Sequence, residues 1–280
     1  MAIKYDTVLL SGIPRSGTTL CCHLLNKFEN TLALHEPIDP NTLDLDPGKA
    51  VEAVTKFSQA SRETALHSSY VVSKQMGGSV PDNPVSRADD GDGVRRESVL
   101  LGKVNVGKRV DDDLALIIKH NALFAALIRP LQSQFRLYAL VRNPLPVLAS
   151  WRSVNLPVGH GRLPMGEAFD PKLSQVLNAE SDLLERQLVI LRWFFDRYRQ
   201  LKDDQVLSYE KLMSSDGAIL SKLTPHRCDT PIRVSPQYKN SMLPHEEYRH
   251  LARTLIERNE IYEGFYSQAQ ISSTLDEMLA

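Results

Sequence analysis

Residues 7 to 20 constrain this chain more than any other stretch: Thr7-Val-Leu-Leu-Ser-Gly-Ile-Pro-Arg-Ser-Gly-Thr-Thr-Leu20. Thr7 to Leu10 is a short, apolar, β-prone run. Gly12, Pro14 and Gly17 interrupt it, and from Thr18 the period becomes helical. Leu20, Leu24 and Phe28 recur four apart, as do Cys21 and Leu25, so one helix face is apolar. A strand, a glycine loop and a helix in succession make an anion cradle, because the loop N–H groups and the helix N-terminus turn partial positive charge toward one point. Gly12 and Gly17 stand at the spacing of the nucleotide loop G-x-x-x-x-G-K-[ST]. Its lysine is replaced by Thr18, and the cation of the loop is Arg15. A loop lysine reaches the β- and γ-phosphates of a triphosphate. Its loss disfavours an ordinary kinase or ATPase, and an arginine inside the loop suits an anion that ends sooner along the nucleotide.

The bulk charge of the chain offers no help in holding an anion. The formal net charge is −1, which argues against a general nucleic-acid or membrane-surface partner and requires a local cluster of cations instead. With 280 residues, 42% of them hydrophobic, there is material for a sizeable core. No repeat or linker divides the chain, so residues 1–280 are expected to form a single α/β domain. The three cysteines, Cys21, Cys22 and Cys228, have neither a disulfide framework nor a zinc spacing and suit a reducing compartment. No segment approaches the ~20 apolar residues of a membrane span. A soluble, cytoplasmic protein is expected, with no metal site. The Asp89-Asp-Gly-Asp-Gly93 stretch lacks the later carboxylate of a calcium loop.

Further along, Thr31 to Leu34 reads as a strand ending at His35-Glu36-Pro37, and Leu114 to Ile118 as a buried parallel strand ending at Lys119-His120. Arg136 to Val141 is another, ending at Arg142-Asn143-Pro144, with a helix from about Pro144 to Val154. Open α/β sheets place chemistry at such strand ends. Glu36 is therefore a candidate base, with His35 and His120 as rivals, and Lys119 a candidate cation. Residues 48–62 read as a helix, 99–110 as a hairpin and 172–202 as one long amphipathic helix. Two polar, Gly/Pro-rich stretches, 77–98 and 155–171, are expected to be loops that form a lid or line an acceptor site; the second carries His160 and Arg162. Val206 to Ser208 is a short strand, and Tyr209 opens the helix after it.

The stretch Gly12-Ile-Pro-Arg-Ser-Gly-Thr-Thr19 closely resembles the 5′-phosphosulfate loop of sulfotransferases that use 3′-phosphoadenosine 5′-phosphosulfate (PAPS), the tyrosylprotein and bacterial carbohydrate or small-molecule enzymes among them. Arg142, Pro144 and Ser150 match the second signature of that family, R-x-P-x-x-x-x-x-S. The resemblance implies a three-layer α/β sandwich with a mostly parallel central sheet, like that of P-loop NTPases. It implies donor contacts from Pro14, Arg15, Ser16, Gly17, Thr18 and Thr19, with Arg142 and Ser150 on the 3′-phosphate. Tyr209 would lie near the adenine or phosphates, and a late basic residue, Lys239 or Arg233, would close over the 3′-phosphate. Glu36 would be the base, with Arg15 and Lys119 stabilising the transferring group. The acceptor stays open between a small molecule, a carbohydrate and a peptide, and the oligomeric state is likewise open. Two other classes compete: a P-loop nucleotide or small-molecule kinase, and a non-catalytic nucleotide-binding module.

Overall fold

The computed structural model describes residues 7–86, 94–234 and 243–280. The opening run is strand β1 (Thr7–Gly12), followed by helix α1 (Thr18–Leu25) and strand β2 (Thr31–His35). Helix α2 (Pro47–His67) begins where the Asp46 carboxylate accepts the Lys49 N–H and Pro47 takes the first turn, a cap joined to a preset φ. Strands β3 (Tyr70–Gln75), β4 (Arg95–Arg96), β5 (Leu100–Asn105) and β6 (Ala115–Lys119) come next. Helices α3 (Asn121–Ala126) and α4 (Ile128–Gln132) lead to β7 (Arg136–Val141), α5 (Pro144–Arg152) and β8 (Val154–Asn155). The remainder is helical apart from β9 (Val206–Ser208): α6 (Pro164–Phe169), α7 (Pro171–Ala179) and α8 (Leu183–Tyr198) precede it, and α9 (Tyr209–Ser214), α10 (His245–Glu257) and α11 (Gln268–Leu279) follow.

Five strands form the central sheet in the order β2-β6-β1-β7-β9, and every pairing is parallel. All residues of β1, β2 and β6 are buried. Successive strand side chains face opposite ways, so full burial means that helices cover both faces. The three-layer α/β arrangement expected from the sequence is the one observed. The register pairs Leu10 and His35 with Lys119, Gly12 with Leu140, and Val141 with Ser208. All five strands therefore end along one edge of the sheet, the edge where a parallel sheet binds ligands.

Several local expectations are corrected. Residues 99–110 do not fold back on themselves: β5 pairs antiparallel with β3 in a separate two-stranded ribbon. The long helix expected over 172–202 is two helices, because Asp182 accepts the Glu185 N–H and restarts the backbone as α8. The 155–171 stretch is not open loop; it holds the end of β8, a 3-10 turn over Pro157–His160 and all of α6. Across the 77–98 stretch, β4 pairs in parallel with β8, and Val85 bridges to Glu97. Residues 87–93, including the Asp89–Gly93 run, lie outside the described residues.

The turn between β1 and α1 is closely packed. A Cβ at Gly12 would lie 2.4 Å from Thr18 Cγ2 and 2.8 Å from the Leu140 carbonyl oxygen. Gly17 has φ +98°, and a Cβ there would lie 2.7 Å from the Tyr209 ring. The indole N–H of fully buried Trp151 donates to the Pro14 carbonyl at 2.8 Å, so α5 packs beneath the loop and holds it. Gly17→Ala is expected to lower the unfolding free energy by about 1–3 kcal/mol, from the left-handed φ and the ring overlap together. Urea denaturation measures it, and an unshifted midpoint would show that the loop yields freely.

Candidate active site

Helix α1 starts at Gly17 with no side-chain cap, so its first N–H groups lack a side-chain acceptor. Within the loop, the Ser16 N–H donates to Ile13 O at 2.9 Å and its hydroxyl to Leu140 O at 3.0 Å. Ser16 thus holds the loop shut, and the Thr18 hydroxyl donates to Asn121 Oδ1 at 3.2 Å. Arg15 has φ +72°, a left-handed conformation that a side chain disfavours. Pro14, Arg15, Gly17, Thr18 and Thr19 line a cavity of about 550 Å³.

The second motif closes on the first. Arg15 Nε donates to Ser150 Oγ at 3.1 Å, and Arg142 Nη1 donates to the Arg15 carbonyl at 3.3 Å. The Arg142 guanidinium lies 4.1 Å from the centre of the Tyr209 ring, a cation–π distance. Asn143 caps α5 by accepting the Leu145 N–H, while its own N–H donates to Glu210 and its side-chain amide to Gln270 O and Thr274. Helices α9 and α11 thereby fix the end of β7.

A third guanidinium enters this cluster from a place the sequence did not suggest. Arg95 Nη2 donates to Ser150 Oγ at 3.3 Å and to Ser153 Oγ at 2.7 Å. Arg95 and Arg96 follow an aspartate-rich run and read as solvated. Only the β4–β8 pairing, with the Arg95 N–H on Ser153 O at 3.1 Å, brings Arg95 inside. Burial, then the like charges of Arg95 and Arg142, lower the Arg15 guanidinium to about 9.

The opposite end of the cavity is built at the ends of β2 and β6. Lys119 is buried, and its ammonium donates to Glu36 Oε1 at 2.7 Å and to His35 Nδ1 at 3.3 Å. An extended backbone through His35 and Glu36 would send the two side chains to opposite sides, yet both reach Lys119. The strand ends at His35, and Glu36 has φ +42°, which breaks the alternation of an extended chain. The Glu36 N–H holds that kink by donating to Lys119 O at 2.8 Å. Lys74 donates to Glu36 Oε2 at 3.1 Å and to Glu97 Oε1 at 2.7 Å. Burial alone raises the Glu36 carboxyl, but Lys119, His35 and Lys74 together hold it well below the usual carboxylate range. Burial and then Lys119 push His35 well below the usual histidine range. Lys74 and Glu97, like Arg95, were not singled out from the sequence, where each reads as a surface charge.

Remaining candidates fall as follows. Residues of the 155–171 stretch give the cavity an apolar wall, Leu156, Val158, Leu163 and Met165 among them. His160 instead bonds Asn155, and Arg162 bonds Asn178 and Glu167. From the 77–98 stretch, Asn83 accepts from Arg15 at 3.2 Å, and Val80 O lies 3.0 Å from His23 Nδ1. Arg233 lines the cavity, whereas Lys239 lies outside the described residues. Among the described residues no three His, Cys, Asp or Glu side chains converge as a metal site, and no helix is long and apolar enough to cross a membrane.

No protein-family model and no curated protein matches the chain. Among solved structures it is similar to the sulfotransferase domain from the curacin biosynthetic pathway, at 13% identity over 98% of this chain and 97% of that one, with a TM-score of 0.39. Sulfotransferase STF9 from Mycobacterium avium is similar at 12% identity over 98% and 76% of the two chains, with a TM-score of 0.34. Sulfotransferase STF1 from Mycobacterium tuberculosis H37Rv is similar at 11% identity over 100% and 77%, also with a TM-score of 0.34. These likenesses are loose, and the chemistry of the site has to come from its own residues.

His120 gives the site a pH dependence. Its Nε2 accepts the Ile38 N–H at 3.0 Å, and burial, opposed by Glu36 and reinforced by Lys119, lowers the ring to about 3. An unfolded histidine titrates near ~6.5. Below that pH the unfolded chain gains a proton that the folded ring refuses, so stability is full above pH ~6.5 and falls toward acid until the folded ring titrates. The unfolding free energy should fall by about 1 kcal/mol per pH unit from this ring between about pH 6 and 4. His120→Gln, which keeps an acceptor for the Ile38 N–H, should flatten that slope. Equal slopes in chemical denaturation of both proteins would show that His120 protonates freely when folded.

Proposed function

We propose that this chain is a sulfotransferase that moves a sulfuryl group from PAPS to a hydroxyl or amine acceptor. The observation that supports this best is the meeting of two motifs far apart in sequence. Arg15 bonds Ser150 and Arg142 bonds the Arg15 carbonyl, on the same cavity that holds Glu36 and Lys119. A donor with phosphate at both ends of an adenosine needs two anion cradles that share one cavity. The Pro14–Thr19 loop, with the uncapped start of α1, suits the 5′-phosphosulfate. Ser16 contributes through the loop backbone, since its hydroxyl is committed to Leu140. Arg142 and Ser150 suit the 3′-phosphate, as a guanidinium fork and a hydroxyl. Tyr209, wedged between Arg142 and Gly17, fixes the spacing between the two. The buried Arg95 Nε has no hydrogen-bond partner among the described residues, and an anion between the motifs would give it one.

In the transfer step Glu36 takes the acceptor proton as the acceptor oxygen bonds to sulfur. The bond from sulfur to the 5′-phosphate oxygen breaks, and its electron pair stays on that oxygen, releasing PAP. Lys119 and Arg15 offset the charge that develops on the transferring group and on the leaving oxygen. Both histidine rivals are poorer bases, because their lone pairs are engaged. His35 Nδ1 accepts from Lys119, and His120 Nε2 accepts from Ile38. The Glu36 carboxylate stays ionised at neutral pH, with its side chain one-quarter exposed toward the cavity. The acceptor is a small molecule, a carbohydrate or a peptide whose body can lie against the apolar 156–165 wall.

Calorimetry separates this reading from a kinase: PAP should bind without magnesium, and tighter than ATP–Mg²⁺. The reverse order would favour phosphoryl transfer, and PAP binding with no turnover on any acceptor would leave a binding module. Arg142→Ala should weaken PAP about ten- to a hundredfold more than it weakens adenosine 5′-phosphosulfate, which lacks the 3′-phosphate. Equal losses would make the arginine structural. Glu36→Gln should leave PAP binding intact and lower turnover by roughly 10²–10⁴. Near-normal turnover in that variant, with turnover lost in His35→Asn, would make His35 the base.

A further inference from the structure

Arg95 differs from the arginines of this protein that end on a carboxylate or a backbone carbonyl. Arg197 ends on the Asp170 carboxylate at 2.7 Å, Arg162 on Glu167, and Arg62 on the Leu114 carbonyl at 2.6 Å. Arg95 is 5% exposed, yet among the described residues its side chain donates only to the hydroxyls of Ser150 and Ser153. Among the described residues no carboxylate bonds it, and its Nε has no partner. Burial lowers its pKa, and the group that works the other way is the phenol of Tyr248. Burying an ion with so little compensation is costly. The cost is explicable if an anion completes the site.

The position of that anion follows from Ser150. Its Oγ accepts from Arg15 at 3.1 Å and from Arg95 at 3.3 Å, so one neutral hydroxyl stands between two guanidiniums. Ser150 is also the second-motif residue assigned above to the 3′-phosphate. Arg95 is held there by backbone, not by its own long side chain alone: β4 pairs with β8 immediately after α5, and the Arg95 N–H donates to Ser153 O. A phosphate dianion beside Ser150 would take up the donor capacity that the serines leave unused, and it would neutralise a cluster that now repels itself.

We propose that Arg95 is a specificity-determining residue that reads the 3′-phosphate of the donor, reaching Ser150 from the 77–98 segment and not from the strand–helix motif that carries Arg142. The proposal rests on the donor reading above. It assigns the 77–98 segment a direct part in selecting a 3′-phosphorylated nucleotide over its 5′-monophosphate analogue. Two residues further on, Glu97 holds Lys74, which bonds Glu36, so residues 95–97 touch both the nucleotide end and the base end of the cavity.

The test is calorimetric titration of PAP and of AMP, which is PAP without its 3′-phosphate, into the full chain and into Arg95→Gln and Arg95→Lys. The wild type should prefer PAP. Arg95→Gln should lose roughly ten- to a hundredfold in PAP affinity and less than about twofold for AMP. Arg95→Lys, which keeps the charge but not the fork, should lose a smaller part of PAP affinity and leave AMP unchanged. Thermal unfolding midpoints establish that each variant is folded, and if Arg95→Gln is not, Arg95→Lys decides. A wild-type preference for PAP that survives undiminished in the folded variant, or equal losses for PAP and AMP, would overturn the role of Arg95 alone. A wild type that binds AMP as tightly as PAP would overturn the donor reading and this proposal with it.

Discussion

The site depends on one constraint, the parallel register of the central sheet. Parallel strands all deliver their carboxyl ends to the same edge, and here each of the five ends in, or shortly before, residues that line the cavity. β1 runs into the Pro14–Thr19 loop, β2 ends at His35 before Glu36, β6 ends at Lys119, β7 precedes Arg142, and β9 precedes Tyr209. The register is strict because β1, β2 and β6 are buried on both faces. A shift of one residue would turn every side chain of a strand to the opposite face and carry Lys119 away from His35. Lys119 shows the consequence most clearly. As the register partner of His35, its ammonium can touch both His35 and Glu36 without leaving the core.

Charge is distributed unequally along the cavity. At the β2–β6 end, cations and carboxylates alternate: Lys119 meets Glu36, Glu36 meets Lys74, and Lys74 meets Glu97. Such a chain neutralises itself and orders the glutamate without needing a ligand. At the other end Arg15, Arg95 and Arg142 converge, and among the described residues neither Arg15 nor Arg95 bonds a carboxylate. With a net charge of −1 over the whole chain, that imbalance is local. It marks where a strongly anionic ligand is favoured, and it separates the arginine end of the cavity from the Glu36 end. Two of the residues involved, Arg15 and Glu36, also hold positive φ angles. Backbone of that kind persists where surrounding contacts over-determine it. Here the Ser16 N–H on Ile13 O, the Trp151 indole on Pro14 O and the Glu36 N–H on Lys119 O do so.

What the sequence by itself determined is local. The switch from strand to glycine loop to helix, the replacement of the loop lysine by Thr18, and the strand-end positions of Glu36, Lys119 and Arg142 are all set by residues a few places apart. Short-range periodicity and turn chemistry report such features directly. The elements that the sequence mis-stated were those fixed by partners far away. β5 looked like half of a hairpin because its true partner, β3, lies across the 77–98 stretch. The break between α7 and α8 turned on a single capping aspartate inside an amphipathic run. Only the tertiary structure decided that Arg95 joins Arg15 at Ser150, that Lys74 bonds both Glu36 and Glu97, and that His35 shares Lys119 with Glu36. Those placements arise from strand pairing and a left-handed kink. A charged side chain buried by such long-range contacts has the same local sequence as one left in water.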